Sequence, residues 1–191
     1  MVQINDTKFF QKVIARIDEL LACQQRVTVA IDGSCGAGKT TLAAALSEHY
    51  RCDVLHMDDF FLRPEQRTAQ RYAEAGGNVD YERFSQEVLA PLKAGEAFSY
   101  RPFDCKSFTL TPAVPVVPGS LTIVEGSYSL HPYFGEAYDL KIFLTVSEEL
   151  QRQRILARPA HLHRKFFDEW IPMENRYFRE FEIREKAHLI R

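Results

Sequence analysis

The sequence predicts an α/β fold in which a mainly parallel sheet of about five strands lies between two layers of helices. Two observations carry that expectation. Short β-branched or apolar runs alternate along the chain with stretches of helical periodicity. In addition, one strand-to-helix junction is a glycine-rich segment of fixed spacing, Gly33–Thr40. The 191 residues are 46% hydrophobic and 26% charged, which suits a globular chain and excludes a disordered one. One domain spanning residues 1–191 is expected, large enough to bury about 70% of its unfolded surface without a metal or disulfide staple.

The elements follow in order. Phe9, Val13, Ile17, Leu20 and Leu21 recur at helical spacing between Phe9 and Cys23, behind the candidate caps Asn5 and Asp6. Residues 26–31 (RVTVAI) read as a strand that feeds the glycine-rich segment, and residues 40–50 are strong helix formers. Residues 53–57 (DVLHM) read as a second strand ending at Asp58 and Asp59. Gly76-Gly77-Asn78 breaks the polar stretch that follows, and Asp80 can cap a helix to about Lys93 with Phe84, Val88, Leu89 and Leu92 on one face. Pro102, Pro112, Pro115 and Pro118 punctuate residues 97–118, predicting a strand plus loop. Residues 121–124 (LTIV) form a buried strand ending at Glu125-Gly126, and residues 140–146 (LKIFLTV) form another. Ser147 caps the next helix, with Leu150, Ile155 and Leu156 inward. A basic stretch at 161–165, a last helix over about 166–182 and a short strand at 188–190 complete the reading.

Several function classes fall away. The formal net charge is −2, and the basic stretch near residues 152–165 lacks interleaved aromatics before Phe166, so no nucleic-acid partner is expected. Cys23, Cys35, Cys52 and Cys105 form no CxxC pair and read as reduced thiols of a cytoplasmic protein. No apolar run approaches the roughly 18 residues of a membrane span, and the first residues hold no apolar secretion core, so no membrane partner is expected. His161 and His163 read as a polar loop rather than a metal site. Oligomeric state stays open, a homodimer being one option.

The segment Gly33-Ser34-Cys35-Gly36-Ala37-Gly38-Lys39-Thr40 matches G-x-x-x-x-G-K-[ST] without a gap, with a strand before it and a helix after it. Backbone N–H groups can curl around phosphate oxygens only where side chains would not clash, which explains the glycines. The helix start adds the positive end of its dipole. Lys39 supplies a point charge to the β- and γ-phosphates, and the Thr40 hydroxyl can hold Mg²⁺. Thr41 extends the phosphate contact, so the fold expected is the three-layer P-loop NTPase architecture with ATP phosphates on residues 33–41.

A phosphate loop alone does not say what happens to the phosphate. Asp58 ends the second strand at the sheet edge where ligands bind in open parallel sheets, so it can take the proton of an attacking hydroxyl and help organise Mg²⁺. Glu125 ends an apolar strand and is followed by glycine, as expected of a magnesium partner. Arg154 and Arg158 lie four apart on one helix face, where like charges repel unless an anion lies between them. That placement suits a helical lid, at approximately 152–166, that closes on triphosphate.

Together, the phosphate loop, His56-Met57-Asp58-Asp59-Phe60-Phe61 and Glu125-Gly126 resemble the uridine kinase-like family of P-loop small-molecule kinases. That family includes uridine/cytidine kinases, nicotinamide riboside kinases and, more distantly, pantothenate kinases. The resemblance implies that Asp58 is the general base, that Glu125 serves magnesium and that Arg154 and Arg158 belong to the lid. The run at 58–65 (DDFFLRPE) and Trp170-Ile171-Pro172-Met173 with Tyr177 look like nicotinamide riboside kinase. Gly77-Asn78-Val79-Asp80 is similar to the uridine kinase segment whose aspartate binds ribose hydroxyls, which makes Asp80 a sugar-binding candidate as well as a helix cap. Uridine kinases read the pyrimidine with a Tyr and a His. The counterparts here are Phe103 and Phe108, beside Arg101, so stacking persists while hydrogen-bond readout of uracil weakens. A different or looser acceptor is expected.

The expected activity is therefore ATP- and Mg²⁺-dependent phosphorylation of a hydroxyl on a nucleoside-like small molecule, with Asp58, Lys39, Arg154 and Arg158 catalytic. A kinase for nicotinamide riboside, pantothenate or another metabolite is the alternative within that class. From another class, the rival is an ATP-binding regulatory switch with weak hydrolysis. No N-K-x-D motif occurs, since the only asparagines are Asn5, Asn78 and Asn175, which speaks against guanine reading.

Overall fold

A computed structural model describes residues 6–191; the candidate cap Asn5 lies outside them. Helix α1 (Thr7–Cys23) leads into β1 (Val27–Gly33), helix α2 (Lys39–Tyr50) and β2 (Asp53–His56). Helix α3 (Ala69–Ala73) is followed by one helical segment built of α4 (Tyr81–Phe84), a π turn (Ser85–Leu89) and α5 (Ala90–Ala94). Four short strands come next, β3 (Phe98–Tyr100), β4 (Phe103–Asp104), β5 (Thr109–Leu110) and β6 (Val114–Val116). Strands β7 (Leu121–Glu125) and β8 (Leu140–Leu144) precede α6 (Glu148–Leu156), α7 (His163–Lys165), a second π turn (Phe166–Trp170) and α8 (Ile171–Glu180). Strand β9 (Leu189–Ile190) comes last.

The central sheet has the order β2-β7-β1-β8-β9, and every pairing in it is parallel. Its residues alternate between two cores, as a pleated sheet covered on both faces requires. Val27, Val29 and Ile31 of β1 join Ile123, Ile142 and Leu144 beneath α1 and α2, with Val13, Ile17, Leu42 and Leu46 as the helical side. Ala30, Leu55, Val124 and Phe143 face the other way, toward Phe84, Val88, Leu92 and Tyr177. Asp6 caps α1 by accepting the Phe9 N–H at 2.9 Å.

Two departures from the sequence reading have physical causes. Residues 97–118 form two antiparallel ladders, β3 with β6 and β4 with β5, rather than one strand. Pro115 sits inside β6, and having no N–H it suits a two-stranded edge ladder. The long helices are also interrupted by π turns, each ending shortly before a proline, Pro91 and Pro172. Proline cannot donate back to the preceding turn and its ring crowds the carbonyl there, which favours local widening.

His131 lies 7% exposed in an aromatic nest, stacked on Tyr81 at 4.4 Å and flanked by Phe134 and Phe181. Its Nδ1 accepts the Tyr133 N–H at 3.2 Å, and burial pulls its pKa down to about 4. Below the unfolded value near 6.5 the unfolded chain takes up a proton that the folded chain refuses, so stability falls as pH drops from about 6.5 to 4. The loss is expected to reach about 3 kcal/mol by pH 4. Urea melts of the parent and of His131→Phe at pH 7 and pH 5 measure it. An equal pH slope in the two proteins would assign the acid loss to other groups.

Candidate active site

The glycine-rich loop leaves β1 and enters α2 as the spacing predicts. Gly36 and Gly38 adopt positive φ (77° and 99°), and Gly38 caps α2. At Gly33 the demand is steric as well, because an added Cβ would lie 2.0 Å from the Leu144 carbonyl oxygen of β8. Lys39 is buried and folds back on its own loop, donating to Gly33 O at 2.7 Å, to Ser34 O at 3.2 Å and to Ser127 Oγ at 3.1 Å.

Around the mouth of this loop the acids gather. Thr40 Oγ1 lies 3.3 Å from both carboxylate oxygens of Glu125, and His56 Nδ1 lies 2.7 Å from Glu125 Oε1. That hydrogen bond raises the His56 pKa against the opposing effect of burial. The 3-10 turn Met57–Phe60 sets Asp58 and Asp59 just past β2. Asp58 opens onto a cavity of ≈ 1460 Å³ that also exposes Lys39, Thr40 and Glu125. Desolvation within this crowded wall, reinforced by repulsion from Glu125, raises the Asp58 pKa despite Lys39 and His56. Asp59 accepts the Tyr100 hydroxyl at 2.9 Å, and its pKa is raised, chiefly by desolvation.

Helix α6 rests on the phosphate loop. Gln151 Nε2 donates to Cys35 O at 2.9 Å and Arg154 Nη1 to Gly36 O at 2.6 Å. Helix α6 ends at Leu156, so Arg158 lies beyond it and does not share a helix face with Arg154 as the spacing suggested; it stacks on Phe166 at 4.8 Å, and Ile155, Phe166 and Cys35 form a small apolar cluster against the loop. Buried there and opposed by Glu174, the Cys35 thiol is pushed up to about 12, far from the range of a reactive thiolate.

Phe103 and Phe108 also line the cavity. Asp80 and Arg101 are not among its lining residues. Asp80 is 3% exposed and spends its carboxylate on the Arg83 N–H (3.2 Å) and on Gln66 Nε2 (2.9 Å), capping α4. Arg101 binds the carbonyls of Leu110 and Thr111 at 2.8 and 2.7 Å, so its guanidinium closes the 101–111 loop.

Three groups at the site carried no sequence signal. Buried Asp32 accepts N–H bonds from Tyr128 and Leu130 and the Tyr177 hydroxyl, tying β1 to the β7 loop and α8. Ser127 Oγ donates to Glu174 Oε1 at 2.6 Å, and Glu174 Oε2 accepts the Cys35 N–H at 2.9 Å. Glu174 is 6% exposed, and desolvation raises its pKa. A carboxylate from α8 thus occupies an amide of the phosphate loop, where an incoming phosphate would meet its charge. Glu174→Gln keeps one of the two acceptor oxygens and removes that charge, so calorimetry is expected to show ATP binding several-fold tighter. Unchanged or weaker affinity would mean that the phosphates lie away from Glu174.

Among the described residues, no group of three or more His, Cys, Asp or Glu is arranged to hold a metal by itself, so the Thr40–Glu125 pair would need oxygens from a bound phosphate. That is the donor set magnesium accepts in nucleotide sites. No helix among the described residues is long and apolar enough to cross a membrane.

Known proteins resemble this chain in sequence and in fold. A Schizosaccharomyces pombe protein, provisionally named a uridine kinase, is 30% identical over 190 aligned residues, covering 85% of this chain and 77% of that protein. A Bacillus stearothermophilus structure, provisionally described as a uridine kinase, has a TM-score of 0.67 at 21% identity, covering 94% of this chain and 98% of that one. A Silicibacter sp. TM1040 structure, provisionally described as a fructose transport system kinase, also has a TM-score of 0.67, at 25% identity, covering 97% of this chain and 100% of that one. No family model matches the chain.

Proposed function

The chain belongs to the uridine kinase-like family of P-loop kinases, and from that premise we propose that it transfers the γ-phosphate of ATP to a hydroxyl of a nucleoside-like small molecule. The observation that carries this reading is the convergence of Asp58 with Lys39, Thr40 and Glu125 on one cavity. The phosphates lie on residues 33–41, with Lys39 swinging from its own loop carbonyls to the β- and γ-phosphates. Thr40 and Glu125 would hold Mg²⁺, which when bound would neutralise charge on the phosphate oxygens.

The acceptor hydroxyl faces Asp58. Its oxygen attacks the γ-phosphorus as its proton passes to the Asp58 carboxylate, and the bond to the β-γ bridging oxygen breaks to leave ADP. Arg154 and Arg158, on a lid at approximately 152–166, stabilise charge on the transferring group. Phe103 and Phe108 offer rings for stacking. The raised Asp58 pKa makes its conjugate base a better proton acceptor than an ordinary aspartate.

The reading is tested by ADP release from Mg·ATP, and from Mg·GTP, with uridine, cytidine, nicotinamide riboside and pantothenate, with mass spectrometry of the products. An acceptor-dependent rate with stoichiometric phosphorylated product supports the kinase. Hydrolysis unaffected by every acceptor supports the regulatory switch instead.

A further inference from the structure

The cavity wall also holds a cation, Arg67, with no carboxylate beside it among the described residues. Arg67 follows the 3-10 turn Pro64–Gln66, and its Nε donates to Leu62 O at 3.0 Å. Its guanidinium carbon lies 5.7 Å from the centre of the Phe103 ring and 5.1 Å from that of Phe108. Arg63, Arg71 and Arg83 are paired with Glu65, Glu82 and Asp80, and Arg101 spends its guanidinium on the carbonyls of Leu110 and Thr111. No carboxylate among the described residues comes within 4.0 Å of Arg67, and neither of its Nη groups has a hydrogen-bond acceptor there.

The ring above it is held at a cost. Phe108 is 51% exposed and sits at φ 56°, a left-handed conformation that aromatic residues rarely adopt. The Asp104 carboxylate locks the turn by accepting the N–H groups of Lys106 (2.9 Å) and Ser107 (3.2 Å), while Asp104 O accepts the Phe108 N–H at 2.8 Å. Such strain persists where the surrounding structure imposes it, and it concentrates at binding sites. Cys105, in the same turn, lines the cavity together with Arg67 and Asp58. Asn78, also on the wall, has its Oδ1 buried without a partner, a place for a hydroxyl donor.

We propose that the acceptor is anionic, a hydroxylated small molecule whose carboxylate or phosphate monoester is received by Arg67 beside Phe103 and Phe108 while its hydroxyl faces Asp58. The inference rests on the kinase reading and narrows its substrate class. A guanidinium whose Nε is pinned and whose carbon lies over two aromatic rings presents its remaining N–H groups as a fork, which matches the paired oxygens of a carboxylate or phosphate. A neutral base could accept one such bond but would leave the charge unanswered.

The test uses ATP labelled in its γ-phosphate and acceptor pairs matched except for charge: ribose 5-phosphate against ribose, glycerate against glycerol, and pantothenate against pantothenol. Uridine, cytidine and a protein-free metabolite extract complete the set. Label is expected in products that carry an anionic group besides the transferred phosphate, and the pair that responds separates phosphate from carboxylate. Arg67→Gln is expected to raise KM for that acceptor by about 10- to 100-fold with KM for ATP unchanged, and Arg67→Lys to restore part of it. Phe108→Ala removes one ring but keeps the cation, so its KM should rise less. An equal rise in Phe108→Ala and Arg67→Gln would reduce Arg67 to a staple for the turn and overturn the proposal. Label passing to neutral acceptors in preference to their charged counterparts would overturn it while leaving the kinase standing. Absence of acceptor-dependent transfer from every source would overturn both.

Discussion

Asp58→Asn is expected to lower turnover by about 10²- to 10⁴-fold while leaving Mg·ATP binding close to that of the parent. The asparagine keeps the size and one acceptor oxygen of the side chain but cannot take a proton at neutral pH. It also relieves the repulsion between Asp58 and Glu125 that helps hold the Asp58 pKa up. The same variant should therefore melt no lower than the parent, which separates a chemical defect from a folding defect. In the parent, the acid limb of kcat/KM should lie above the ordinary aspartate value of 3.8, because desolvation and Glu125 favour the protonated acid. Steady-state kinetics across pH, paired with calorimetric titration of ATP, measures all of this. Near-parent turnover in Asp58→Asn would remove Asp58 from proton transfer.

What the linear sequence discloses depends on how far apart the interacting residues lie. The phosphate loop is contiguous, its chemistry is written in one octet, and its strand and helix flank it directly. Glu125 is legible because it ends an apolar strand, and parallel strands in this order bring their ends to one edge. Glu174 is not, because it reaches the Cys35 N–H across 139 residues, and its i,i+3 neighbour Tyr177 reaches Asp32 across 145. Nothing local marks either residue of α8 as part of the phosphate site. Asp80 shows the reverse case. Its position before a helix suits two roles, and the structure turns its carboxylate onto the Arg83 N–H and Gln66 instead of into the cavity. Arg67 escapes because its meaning lies in the absence of a partner, which only the folded neighbourhood can reveal. The π turns before Pro91 and Pro172 follow from proline chemistry, yet their size depends on the packing that keeps both helices continuous.

Gly33→Ala is expected to destabilise the protein by several kcal/mol, far more than the same change at Gly36. Both glycines have positive φ, 136° and 77°, so each alanine meets conformational strain of about 1–3 kcal/mol. Space separates them. At Gly36 a new Cβ would find Arg154 Cβ at 3.7 Å, an ordinary contact. At Gly33 it would meet the Leu144 carbonyl oxygen at 2.0 Å, and that backbone belongs to β8, the strand paired with β1 in the middle of the sheet. Neither strand can yield without breaking the parallel ladder, and overpacking of this kind adds about 1–3 kcal/mol. Relief by moving the loop would disturb Lys39, which donates to Gly33 O at 2.7 Å. Thermal melts should therefore show Gly33→Ala many degrees below Gly36→Ala, while ATP titration should find the folded Gly36→Ala weakened at the phosphate loop. Melting points within a degree or two of each other would mean that β1 and β8 can separate at their ends. The close approach of those strands would then no longer account for glycine at the head of the loop.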